Sequence, residues 1–117
     1  MSARVVQTIA IASLDSDPTI YMPVLQTCRL ADAVSVIYTA ITTNPVTVTF
    51  SDGTTTIGTL TIAAGAAGVC DTFSVDSTSE GKVELDRDTP LKIVCSGTPG
   101  AGAIMLACGF DPFHADN

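Results

Sequence analysis

Apolar positions in this chain come in short runs with a period of two, not 3.6. No window of 11 or more residues keeps apolar side chains at helical spacing. Val, Ile and Thr fill the runs, and Gly, Pro, Asn and Asp punctuate them, as expected of strands joined by turns. The pattern predicts eight strands: Val5–Leu14, Ile20–Thr27, Val34–Thr39, Val46–Ser51, Thr54–Ile62, Val69–Val75, Leu91–Ser96 and Ala103–Gly109. Their spacing suits a sandwich or barrel. The expectation is an all-β fold, an antiparallel β-sandwich, jelly-roll-like, of about eight strands. It forms a single domain over residues 1–117, with a short N-terminal arm and a C-terminal tail from about residue 110 to 117.

Two hairpins follow from the same pattern. Asp52-Gly53 between alternating runs is a strong short-range hairpin signal and predicts a two-residue loop, with Ser51 opposite Thr54. Phe50 then faces Thr55 and Val48 faces Ile57, but Leu60 falls on the wrong face. A bulge at Gly58 restores the parity and sets Leu60 opposite Val46. Further on, Leu91, Ile93 and Cys95 share one face, as do Ile104, Leu106 and Cys108. Closing the glycine-rich stretch Gly97 to Gly102 as a turn pairs Cys95 with Ile104 and Leu91 with Cys108.

Composition narrows the function. The chain has 117 residues, 46% hydrophobic and 15% charged. Area scaling for its mass gives about 6,000 Å² exposed when folded against about 17,000 Å² unfolded, so a sizeable core forms and disorder is excluded. No apolar run reaches the roughly 20 residues of a membrane-spanning helix. The run from Val5 to Ala12 follows Arg4, but Gln7 and Thr8 interrupt it and its alternation fits a strand equally well, so a leader is not expected. The expected setting is the reducing interior of the producing cell. Net charge is −7, and the five cations, Arg4, Arg29, Lys82, Arg87 and Lys92, are scattered among twelve carboxylates. Nucleic-acid binding needs clustered cations and is not expected.

The residue types that carry chemistry form no recognisable set. Cys28, Cys70, Cys95 and Cys108 include no Cys-x-x-Cys pair, and the single histidine, His114, lies in the tail, so no metal site and no cofactor are expected. In the second hairpin register Cys95 and Cys108 stand four positions apart, about 13 Å at strand rise, beyond the reach of a disulfide. The four cysteines are expected as buried free thiols. Asp76, Glu80, Glu84, Asp86 and Asp88 gather near Lys82 and Arg87 without calcium-loop spacing, as in a solvated loop. A glycosidase could draw its two carboxylates from them, but the chain has no Trp and only Tyr21 and Tyr38 to line a sugar cleft. His114 is the only imidazole and no catalytic motif joins it to a hydroxyl, and Gly97 to Gly102 lacks the lysine of a phosphate loop. No catalytic residues are assigned.

The order Tyr21-Met22-Pro23-Val24, Ala33-Val34-Ser35-Val36-Ile37, Val46-Thr47-Val48-Thr49 and Gly58-Thr59-Leu60-Thr61-Ile62, with the Asp86 to Asp88 turn before Leu91-Lys92-Ile93-Val94, resembles the small β-sandwich proteins that cement or decorate tailed-bacteriophage capsids. The likeness covers roughly Pro18 to Gly109. Leu25-Gln26-Thr27-Cys28 departs from it, lacking a glycine turn, and the four cysteines are unusual for the family. The resemblance implies a virion structural protein made in the host cytoplasm and bound to the capsid exterior. Its partner would be the major capsid protein, and it would act as a homo-oligomer, a homotrimer above all. A strong negative charge suits an outer position and opposes packaged DNA. A tail, neck or fibre component is the structural alternative, and a carbohydrate-binding module is the alternative of another class. Arg4, Phe110 and Phe113, on the segments flanking the sandwich, are the candidate interface residues, because exposed aromatics often anchor partners; the alternative for Phe110 and Phe113 is that they fold back and seal the open end of the sandwich.

Overall fold

A computed structural model of the chain describes residues 5–75 and 83–112. Among the described residues there are eight strands: β1 (Val5–Ile11), β2 (Thr19–Met22), β3 (Cys28–Thr39), β4 (Val46–Ser51), β5 (Thr56–Ile62), β6 (Cys70–Ser74), β7 (Leu91–Ser96) and β8 (Ala103–Pro112). They form two four-stranded sheets in the orders β1-β8-β3-β6 and β2-β7-β4-β5, with every pair antiparallel. Only β4 and β5 are joined within one sheet, and every other connection crosses between sheets. Wrapping eight strands in this way gives a jelly roll.

Alternation explains the packing. Leu91, Ile93 and Cys95 on β7, and Val46, Val48 and Phe50 on β4, are all fully buried. Across from them lie Ile104, Leu106, Cys108 and Phe110 of β8, with Leu30, Ala33 and Ile37 of β3. The accessible surface, 6224 Å², agrees with the value expected from mass.

The first hairpin is observed with a different register. Val46 pairs with Ile62, Val48 with Leu60 and Phe50 with Gly58, and the irregularity falls between Phe50 and Ser51. The parity slip is real, but it is absorbed at Ile57, which is also buried. The turn is longer than two residues because Asp52 reorganises it: its Oδ1 accepts hydrogen bonds from the amides of Thr54 (2.8 Å) and Thr55 (2.6 Å). Ser51 consequently pairs with Thr56.

The second hairpin does not form. β7 and β8 belong to different sheets and face one another across the core. Matching apolar faces establishes that both strands point inward, and it holds equally for strands side by side and strands face to face. The connecting loop turns between the sheets at Gly97 (φ +131°) and Gly102 (φ +143°), both in the region that favours glycine. A side chain at Gly97 would also collide with the Pro45 carbonyl.

The loop between β7 and β8 meets the loops after β1, β3 and β5 at one end of the sandwich. Leu14 N–H donates to Gly102 O (2.9 Å), Thr43 N–H to Pro99 O (3.0 Å), and Ile41 and Gly65 exchange two backbone bonds. Asp15 Oδ1 accepts from Gly100 N–H (3.0 Å), and Asn44 Nδ2 donates to Thr98 O (3.0 Å). The opposite end carries the β2–β3 loop, the β4–β5 turn and the chain leading into β7. There Cys28 and Leu85 exchange backbone bonds, and Arg87 Nε donates to Leu25 O (2.8 Å).

Candidate functional site

The two long sides of the sandwich differ. On one, β5 lies against β6 of the other sheet. Gly58 leaves a gap on β5, and the Phe73 ring of β6 occupies it and stacks on Phe50 with ring centroids 5.2 Å apart. A Cβ at Gly58 would come within 2.6 Å of that ring. Gly58 is therefore required by close approach, and its φ is not positive.

On the other side β1 and β2 make no strand-to-strand contact among the described residues. A cavity of about 530 Å³ opens there, lined by Val5, Gln7, Cys28 and Phe110 and by the loop from Pro23 to Gln26. Gln7 Nε2 donates to Pro23 O (3.1 Å) across the gap, and the Arg87 bond to Leu25 O holds the loop from behind. Leu25, 80% exposed, stands at this opening.

The outer face of the β1-β8-β3-β6 sheet adjoins the opening. Register places Thr8, Ala107, Val34 and Thr72 in one row across it, and Ala10, Met105, Val36 and Cys70 in the next. Neither row contains a charge. Val6 (62% exposed), Val34 and Met105 are exposed apolar side chains, and Tyr38 on β3 is 74% exposed. The equivalent rows of the other sheet are Thr19, Val94, Thr49 and Thr59, then Tyr21, Lys92, Ser51 and Thr56. That face is mostly hydroxyl-bearing.

Of the interface residues expected from sequence, Phe110 is placed otherwise. It lies within β8, pairs with Val5 and Leu30, and is 1% exposed. β8 continues to Pro112, so the strand runs into what the sequence suggested was tail, and the alternation Ile104, Leu106, Cys108, Phe110 carries the ring into the core. Phe110 is thus a core residue that also backs the cavity. Arg4, Phe113 and His114, like Asp76, Glu80 and Lys82, lie outside the described residues.

Asp86 turns back on itself: its Oδ1 accepts from Asp88 N–H (2.8 Å), and it exchanges backbone bonds with Thr89. Among the described residues no group of three or more His, Cys, Asp and Glu could hold a metal ion. The four cysteines are unbridged, with Cys28, Cys95 and Cys108 buried and Cys70 exposed, contrary to the expectation that all four are buried. Cys95 and Cys108 lie on different sheets, so the spacing argument made from a shared hairpin does not apply. Burial, then nearby Asp32, pushes the Cys108 thiol up to about 12; burial, then Asp17, takes Cys95 to about 11. Both are protonated and inert at neutral pH.

Gln7 and Leu25, which make the open side, and Val34 and Met105, on the uncharged rows, are not among the residues expected from sequence. A signal was available. In β1 and β3, apolar residues occupy both parities, which marks a strand with apolar groups on both faces. Among the described residues no helix is long and apolar enough to cross a membrane. No family model matches this chain, and no curated protein matches it in sequence.

Proposed function

We propose that this protein is a non-catalytic virion component that binds the exterior of a bacteriophage capsid and stabilises the shell. The observation that carries the reading is the pair of uncharged rows on the outer face of the β1-β8-β3-β6 sheet, Thr8-Ala107-Val34-Thr72 and Ala10-Met105-Val36-Cys70, bordered by a row that holds Val6 and Asp32, on a chain of net charge −7. Contiguous exposed apolar groups on a small domain mark protein–protein contact. Jelly rolls serve in viral shells and in lectins alike. A sugar platform is less well supported, because Tyr21 and Tyr38 stand on different sheets and cannot share one ligand. A module that binds only the assembled lattice stabilises it by mass action, and repetition over many sites multiplies weak contacts. The major capsid protein is the proposed partner, bound by a symmetric homo-oligomer; the family resemblance favours a homotrimer.

Heating purified particles with and without the protein tests this. Particles lacking it should rupture at lower temperature, and added protein should restore resistance, whereas Val34→Glu protein should not. Equal survival, with no protein retained on purified shells, would overturn the capsid reading in favour of a tail or fibre location.

A further inference from the structure

We propose that the free edge of β1 pairs with β1 of a second copy, antiparallel, about a two-fold axis through Thr8. The inference goes beyond shell binding and does not depend on it.

Edges invite pairing unless they are blunted. Three of the four edge strands here are. β6 is five residues long and turns Asp71 inward; β2 has only four residues; β5 is flanked by β6. β1 has none of these protections. Its seven residues, Val-Val-Gln-Thr-Ile-Ala-Ile, include no charge, proline or glycine, and it pairs with β8 without a register shift. No other strand lies against its outer side among the described residues.

The second copy is the partner whose chemistry fits. The register that uses all seven residues sets Thr8 against Thr8, Val6 against Ala10, Gln7 against Ile9, and Val5 against Ile11. Each pair joins residues of the same face, Val6, Thr8 and Ala10 on the outer one and Val5, Gln7, Ile9 and Ile11 on the inner one. No like charges oppose one another within the seam, although each chain carries −7. The two outer sheet faces, with their uncharged rows through Thr8 and Ala10, then become one continuous eight-stranded surface. The symmetry is two-fold, in place of the three-fold cluster that the family resemblance implies.

Native mass spectrometry of the full chain over a micromolar to millimolar series provides the test. The expected result is a concentration-dependent dimer of twice the 12.0 kDa chain mass. Thr8→Lys, at an exposed position, sets like charges on the axis and should leave monomer only. In a Cys70→Ser background, Thr8→Cys treated with diamide should give an intermolecular disulfide reversed by reductant. Ala10→Cys should not, because its two copies would stand four positions apart, roughly 13 Å at strand rise. A monomer at every concentration, a trimer, or a dimer that survives Thr8→Lys would each overturn the proposal. If Thr8→Lys fails to fold, the contrast between the two cysteine variants decides: equal cross-linking, or none, overturns it.

Discussion

One side of the sandwich is closed by an aromatic ring and the other is held open by a glutamine. At the β5–β6 side, Gly58 makes room for Phe73, which stacks on buried Phe50. At the β1–β2 side, Gln7 reaches Pro23 over an open cavity, and among the described residues no strand covers the β1 edge. The same architecture thus spends apolar burial on stability at one side and leaves apolar surface available at the other. The difference points to where a partner can add contacts without first unmaking any.

The sharpest way to break the comparison is to truncate one inward-facing side chain on each side. Phe50→Ala should cost about 3–5 kcal/mol, and Ile9→Ala, on half-buried β1, about 1–2 kcal/mol, both read from denaturant midpoints. Equal losses would mean that the two sides contribute alike. Gly58→Val should cost about 1–3 kcal/mol because Phe73 has to move, and Phe73→Leu in the same chain should recover part of it. Without recovery, the ring is not what makes glycine necessary. Gln7→Ala, which removes one exposed bond, should cost about 0.5–1 kcal/mol and leave the near-ultraviolet spectrum unchanged. The smallest effect concerns the core behind the open side. Cys108 pairs with Gln7 but is buried, with its thiol held up to about 12. At pH 8 a thiol reagent should label native Cys70 and spare Cys95 and Cys108. Labelling of Cys108 at the rate of Cys70 would mean that the cavity reaches the core.

Much of the fold was legible because period-two alternation is a local property. The strands emerge from short runs of Val, Ile and Thr. The apolar pattern starts this strand at Val34, six residues after β3 begins, because Arg29 and Asp32 interrupt the pattern without interrupting the strand. The β4–β5 hairpin was legible as a hairpin, but its register was not: Asp52 accepts two amides and lengthens the turn beyond what Asp52-Gly53 alone implies. The partition of β7 and β8 between sheets was not legible, since inward parity is the same in both arrangements. Phe110 was misplaced for a related reason. A terminal aromatic looks like tail unless the alternation from Ile104 is carried two residues further. The open side was hidden because openness depends on which strands become neighbours.

Amide hydrogen exchange on β1 and β5, followed as a function of protein concentration, tests the central claim most directly: the open side is where this protein makes contact. In dilute solution the outward amides of Val5–Ile11 should exchange faster than those of Thr56–Ile62. As concentration rises, protection should grow in β1 alone, with Thr8 at the centre of the protected stretch, and β5 should not change. Protection that stays constant in β1, or that grows in β5 instead, would contradict the account.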